Sequence, residues 1–380
     1  MNIEQINDAA AILQGTSPGG YRIVESDNND PKYLRKLIEA QRVWNEYRRS
    51  TTGKRYYLRE NAMRGDYPLL FADNLTREMR ARYAEFPADW RAATKIAGLP
   101  DFRAKKIFPR GTIDQRWTAI PDGGPQPAIT KTYSDQTAIT YSVTAYGVHT
   151  AVNFQTLIND DMGIFDDIAG DMARGARRTE LFQWSSSHWG ASGPTGLTAL
   201  TGNPVLNVDG FRAAWKQLRK TVDANGEPIM IEAPILEVGP DLETTAFEII
   251  KAVALKVHQD LTAAGTAFDT ENWISRMVSQ VIVNPYVPII ASTANSATSW
   301  CLLANASTGQ AAIEVGYLNG YEQPALLQKA SDTLQAGGGA VPVNQFGNFD
   351  TSDIEFKGIH MMGAVIRDAK LGFRSNGTGS

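Results

Sequence analysis

The chain has 380 residues, a net charge of −4, an apolar fraction of 43% and a charged fraction of 21%. Those values are ordinary for globular protein and exclude wholesale disorder, and no window approaches the roughly 20 unbroken apolar residues that span a bilayer. A single cysteine, Cys301, excludes an internal disulfide, and Met1–Gln5 lacks the basic and apolar regions of a secretory signal, so a soluble intracellular product with no membrane partner is expected.

Charge is unevenly spread. Residues 1–110 hold 20 Lys/Arg against 14 Asp/Glu, whereas the remainder holds 17 against 27. The excess is densest from Lys32 to Arg64, with ten basic and three acidic residues. Lys32, Arg35, Arg42, Arg48, Arg49, Lys54 and Arg55 are therefore candidates to face nucleic acid or an acidic neighbour; a solvated helix face is the plainer alternative.

In chain order, the first 30 residues are polar and broken by Ser17-Pro18-Gly19-Gly20, with one short helix expected near Ile6 to Leu13. Asp30-Pro31 reads as a cap with proline at the first helical position, ahead of a helix to about Arg49; a second helix is expected from about Asp73 to Tyr83. Up to residue 95 these are helices and tethers with no evident core. Between Phe108 and Thr137, Trp117–Ile120 leads into Pro121-Asp122-Gly123-Gly124-Pro125, a strong turn signal, and Ile129–Tyr133 resumes a strand pattern. So little apolar material cannot stabilise a hairpin in isolation, so it either rests on another copy or is a simple surface hairpin.

The stretch from Ala138 to Val152 reads as strand. Phe154 to Leu181 repeats apolar residues at 3.6-residue spacing, and Gly163 divides it into a short helix and a long one of roughly 30 Å. Trp189–Gly196 ends that helix. Beyond it, Asp209 is expected to cap a helix through about Val222, Pro228–Ile231 and Pro234–Val238 to be strands, and a helix to run from about Leu242 to Leu261. Val281–Val283, Trp300–Leu303, Ile313–Leu318 (closed by Asn319-Gly320), Ile354–Ile359 and Ala364–Arg367 read as further strands. Helices and strands mix without βαβ regularity, so the class is α+β.

No catalytic, metal or cofactor motif emerges. His149, His188, His258 and His360 stand far apart in sequence, Cys301 lies in an apolar strand, and Asp160-Asp161 and Asp166-Asp167 sit where a helix begins and its dipole favours carboxylates. Ser192 lacks the spacing of a nucleophile elbow. No enzyme is expected; the rival is a hydrolase using Cys301 or the Asp pairs. Trp44, Trp90, Trp117 and Trp184 are candidates for contacts between copies, with core packing as the alternative.

The order of these parts resembles the major capsid protein family of tailed bacteriophages, whose fold is shared with herpesvirus and encapsulin shells. The resemblance is carried by Trp300–Asn305 followed by Ala312–Pro324, which is similar to the Mu-like subgroup, by Pro234–Glu243, and by Asp353–Phe356 with Gly363–Asp368. It covers about residues 90–375. It implies an N-terminal extension and N-arm (1–103), an extended E-loop (104–137), a peripheral domain with a long spine helix (138–190) completed by carboxyl-terminal strands (346–380), and an axial domain (191–345). Arg116, Trp117, Ile120, Pro121 and Pro125 of the E-loop would then contact a neighbouring copy, and the basic set around Lys32 to Arg55 would face inward. Some relatives cross-link a loop lysine to an asparagine; Lys131 lies near the loop base, but no cross-link is predicted.

The function implied is a head protein that self-assembles into pentamers and hexamers of an icosahedral shell around double-stranded DNA, held without sequence reading. Its site would be the virion capsid, assembled in the host bacterial cytoplasm. The implied partners are further copies of itself, a separate scaffold protein (the start has no long heptad stretch), a portal and a decoration protein. The alternatives are an encapsulin-type compartment shell or another phage structural protein such as a tail tube subunit.

Overall fold

The computed structural model describes residues 79–108, 119–120, 122–124, 138–153, 168–222, 226–252, 254–257, 268–329 and 348–379. The chain divides into two units. Unit 1 comprises Met1–Met79, Val148–Ala169 and Leu326–Gly358; unit 2 comprises Arg80–Gly147, Gly170–Ala325 and Ile359–Ser380. The expected helix at 31–49, the short helix expected between Phe154 and Gly163, most of the hairpin between 109 and 137 and the basic set from Lys32 to Arg55 lie outside the described residues.

Residues 79–85 are helical, in line with the end of the helix expected from Asp73. The elements that follow are β1 (Thr94–Leu99), β2 (Lys105–Ile107), β3 (Ile139–Tyr141), β4 (Thr144–Asn153), α1 (Ile168–His188), β5 (Trp189–Gly190), β6 (Gly193–Pro194) and β7 (Thr198–Ala199). Next come α2 (Val208–Arg219), β8 (Ile235–Val238), α3 (Glu243–Lys251), β9 (Ala254–Val257), β10 (Phe268–Glu271), β11 (Gln280–Val283) and β12 (Trp300–Leu303). The chain ends with β13 (Ile313–Leu318), β14 (Ala325–Gln328), β15 (Asp353–Ile366) and β16 (Gly372–Ser375). The mixture is α+β.

Unit 2 is built on two sheets. One has the order β11-β8-β12-β16-β7, with β8 parallel to β11 and antiparallel to β12. In the other, β1 runs parallel to β13 (Thr94↔Ile313 to Leu99↔Leu318), and β13 runs antiparallel to the end of β15 (Ile313↔Ile366 to Tyr317↔Met362). Every residue of β8, β12 and β13 is buried. That burial is why these strands read as apolar runs, broken by Glu237 and Glu314, instead of alternating ones. One core joins both sheets with α1, α2 and α3, and contains Trp184, Trp300, Phe211 and Phe373 with no exposed surface.

Trp90 and Trp184 belong to that core, with ring centroids 6.1 Å apart, so neither is an exposed anchor for a neighbouring copy. α1 ends at His188 as expected, and its 21 residues make it about 31 Å long at 1.5 Å per residue.

Several expectations shift. The α2 cap is Asn207, whose side chain accepts from the Gly210 N–H at 2.6 Å; Asp209 lies inside the first turn. α3 stops at Lys251, ten residues early: Ala252 leaves the helix (ψ 133°), and Ala254–Val257 forms β9, which pairs with β10. Pro228–Ile231 forms only a single bridge, Val222 with Pro228. β1, on a stretch where no strand was expected, buries only its two end residues and leaves Lys95 exposed, so it carries no alternation to find.

The two carboxyl-terminal strands are one, β15. Gly363 serves close packing there and not a turn. It stands opposite Gly316 in the ladder, and a Cβ on it would lie 2.3 Å from the Ser142 carbonyl oxygen. A Cβ on Gly316 would lie 2.3 Å from Leu99 Cδ1 and 2.7 Å from the Tyr141 hydroxyl. This glycine pair seats Tyr141 against the sheet, in a small core with Leu99, Ile107, Val143 and Leu318.

In unit 1, the first half of β15 buries Ile354 and Phe356, and the Lys329 N–H donates to the Glu355 carbonyl at 3.0 Å. The Glu355 carboxylate accepts from Lys329 Nζ (3.2 Å) and Asn348 Nδ2 (3.2 Å), with His149 Nε2 at 3.4 Å. Asn348 and then Lys329 hold that carboxyl below its ordinary range.

Candidate functional site

The chemistry-bearing side chains of unit 2 gather on two carboxylates, both with no exposed surface. Glu237 projects from β8 into the apolar interior. Trp189 Nε1 and Asn284 Nδ2 donate to its Oε1 at 2.9 and 2.8 Å. Its Oε2 faces His188 Nε2 at 2.7 Å and accepts from the Cys301 thiol at 3.1 Å. Asn284 is itself paired with Ser185 of α1, Nδ2 donating to the Ser185 hydroxyl at 2.8 Å. Burial pushes the Glu237 carboxyl up, but the His188 partner, with the Asn284 and Cys301 donors, outweighs it and holds the group below its ordinary range. Burial first, and the Glu237 charge second, push the Cys301 thiol well up. His188, Glu237 and Cys301 are all sealed from solvent, so the thiol is placed as a protonated donor and not as a nucleophile.

Glu180, three turns of α1 later than the helix start, is the second centre. Its Oε1 accepts from the hydroxyls of Tyr83 and Tyr317 (the latter at 2.9 Å) and meets His360 Nε2 at 2.9 Å; Oε2 accepts from Arg177 Nη1 at 2.8 Å. Arg177 also donates to the Tyr83 carbonyl at 3.0 Å and lies 3.7 Å over the Tyr83 ring. Burial alone pushes the Glu180 carboxyl up; His360, Arg177 and Tyr83 together outweigh it and bring it down to about 2. Burial, then the Glu180 charge, push both tyrosines above their ordinary range. One carboxylate thus ties the 79–85 helix, α1, β13 and β15 into one framework. A third buried carboxylate, Glu314 on β13, accepts from Tyr141 (2.9 Å) and Lys105 (3.3 Å) and faces Arg367 at 3.6 Å.

Sequence reasoning named Cys301, His188 and His360 but missed that they converge on Glu237 and Glu180. Separations of 49, 64 and 180 residues leave no local spacing to read. The available signal was a lone glutamate inside an apolar strand, as at Ile235-Leu236-Glu237-Val238, since a carboxylate enters a core only with partners.

Of the E-loop residues expected to contact a neighbouring copy, Ile120 is described and is 57% exposed. Asp122 and Gly123 form a turn in which Gly123 takes φ +71°, the left-handed conformation that glycine tolerates. Arg116, Trp117, Pro121 and Pro125 lie outside the described residues, as does every one of the seven basic candidates.

A family model for phage capsid proteins matches residues 136–375, from just before β3 to the end of β16. The chain belongs to the phage capsid protein family. As a capsid protein it is a shell-forming component of the virion, and both carboxylate frameworks lie largely within the matched stretch, Tyr83 excepted. No curated protein sequence matches this capsid protein. Among solved structures, the chain is similar to a virus-like particle from Pyrococcus furiosus (8% identity, 80% of this chain and 99% of that one, TM-score 0.46). It is also similar to the holo-SrpI encapsulin complex from Synechococcus elongatus (12% identity, 78% and 94%, TM-score 0.43). A third is the procapsid of bacteriophage JBD30 (9% identity, 80% and 72%, TM-score 0.36).

Proposed function

We propose that this chain is the major capsid protein of a tailed bacteriophage of the Mu-like type, assembling as pentamers and hexamers into an icosahedral shell around double-stranded DNA. The observation that carries the reading is the phage capsid match across residues 136–375. The frameworks at Glu180, Glu237 and Glu314 support it, because their buried carboxylates bond partners on several elements of unit 2 and so serve to hold the fold together. Chemistry is then not its task, and no enzyme activity is proposed. Closure of a shell needs the same surface repeated around symmetry axes, and many weak contacts per copy add up to a durable particle. Met230 (70% exposed), Ile289 (69%), Tyr321 (55%) and Ile120 (57%) are large apolar side chains available for such contacts.

The basic excess of residues 1–110 supports an inner face for the Lys32–Arg64 segment, where phosphate neutralisation holds DNA without reading it. A scaffold protein, a portal and a decoration protein are the partners this role calls for. Expression of the chain alone and with its neighbouring gene products, followed by negative-stain microscopy, tests the reading. Closed shells of uniform diameter are expected; tubes point to a tail component, and a monomer under every assembly condition overturns it.

A further inference from the structure

Three donor types that suit a borderline-soft cation meet at one point in the core of unit 2. His188 Nε2 and Cys301 Sγ approach the same oxygen, Glu237 Oε2, and the three ligand atoms lie within 4.8 Å of one another. Each comes from a different element: the last residue of α1, β8 and β12. The surroundings hold them in place. His188 Nδ1 faces the Trp184 carbonyl oxygen at 3.0 Å and the Ser187 hydroxyl at 3.3 Å; Ser187 donates its proton to the same carbonyl at 2.7 Å, and the carbonyl can only accept, which assigns a ring proton to Nδ1. Nε2 of a neutral ring then aims a lone pair at the carboxylate. Glu237 Oε1 is occupied by the Trp189 and Asn284 donors, which turns Oε2 toward His188 and Cys301. An imidazole anchored on a backbone carbonyl, beside a carboxylate with its own donors, is the outer arrangement characteristic of metal ligands.

A lone pair facing a carboxylate oxygen at 2.7 Å is repulsive, and two species relieve it. One is a second ring proton, giving an imidazolium–carboxylate pair with the thiol donating to the same oxygen. The other is a cation between them. We propose that His188, Glu237 and Cys301 bind one divalent cation of the zinc class, which staples the end of α1 to β8 and β12. Binding displaces one proton from His188 Nε2 and one from Cys301 Sγ, so two protons leave as the cation enters. The ligands then carry −2 against +2, and the core is neutral in both states. Zinc bonds of about 2.0–2.3 Å place tetrahedral donors roughly 3.3–3.6 Å apart, so the contacts to Oε2 open by about half an ångström. Thiolate with imidazole favours zinc over magnesium or calcium, which take oxygen ligands. Because the site has no exposed surface, the ion enters as the chain folds and exchanges slowly.

The full chain is expressed in minimal medium supplemented with zinc, or with cobalt as a spectroscopic stand-in, and purified without chelator. Elemental mass spectrometry should find about one metal per chain, and the cobalt form should show a sulfur-to-cobalt charge-transfer band. Cys301→Ser should abolish that band. Asn284→Ala, which removes a donor to Glu237 together with the side-chain bonds to Ser185 and the Tyr286 N–H, should weaken the metal about tenfold to a hundredfold in protein that circular dichroism shows to be folded. If Cys301→Ser does not fold, the wild-type chain alone decides. Folded wild type that carries no stoichiometric metal, or cobalt bound without the sulfur band, overturns the proposal and leaves the proton-bonded pair.

Discussion

Glu180 is a charge placed where no water reaches it, and its stability depends on four donors staying in register. Replacing it by glutamine leaves the largely buried Arg177 without its counter-charge and His360 Nε2 without its carboxylate partner, and loss of one member of a buried pair costs about 3–5 kcal/mol. Denaturant unfolding of unassembled Glu180→Gln should show that loss. The pH dependence has a definite sign. The folded carboxyl sits near 2 against an ordinary 4.5, so its contribution is fully present above 4.5 and disappears as pH falls toward 2. At about 1.36 kcal/mol for every tenfold step in proton affinity, wild type should lose about 3 kcal/mol across that window through this group. Glu180→Gln should lack this part of the slope and keep the part due to Glu237, whose carboxyl is also held low. Identical acid profiles for the two proteins would show that Glu180 is not the titrating group.

At the level of elements, the cap of α2 separates what sequence could reveal from what it could not. Asn207 and Asp209 are both good capping residues, two positions apart, and only the extended backbone at Asn207 (φ −146°, ψ 179°) decides between them. Asn207→Ala should therefore cost about 1 kcal/mol, and Asp209→Ala, on an exposed first turn, no more than about 0.5 kcal/mol. Thermal melts of the two variants check this; equal shifts would return the cap to Asp209. Gly316→Val should be far worse than either, because its side chain would occupy the space of Leu99 Cδ1 and the Tyr141 ring. Overpacking of this kind costs about 1–3 kcal/mol or more, and a melting shift larger than that of Asn207→Ala is expected. The buried strands β8, β12 and β13 and the long helix α1 were legible because their apolar runs and 3.6-residue period are local signals. β1 and the early end of α3 were not, since a strand with two buried residues and a helix-to-strand change both depend on partners distant in sequence. The carboxylate frameworks escaped for the same reason: Tyr83, Glu180, Tyr317 and His360 share no spacing, and only the fold brings them together.

For the whole molecule, the division of charge separates a basic first 110 residues from an acidic remainder. On the proposed role, replacing Lys32, Arg35, Arg42, Arg48, Arg49, Lys54 and Arg55 with glutamine should leave shells closed but reduce DNA retention. The salt dependence of DNA binding should flatten by about 0.9 in log–log slope for each phosphate contact removed. Filter binding over a salt series measures this, and an unchanged slope would place the segment elsewhere than on DNA. The Glu180, Glu237 and Glu314 frameworks should persist through assembly, since these carboxylates are bonded within the chain. On the proposed role, copies of this chain complete one another as a closed shell. Electron microscopy of the purified chain, expressed with its neighbouring gene products, decides between this and a self-sufficient monomer. Closed icosahedral particles with pentamers and hexamers resolved on their surface are expected; a population of monomers or open tubes, under conditions where the chain is folded, would overturn the role.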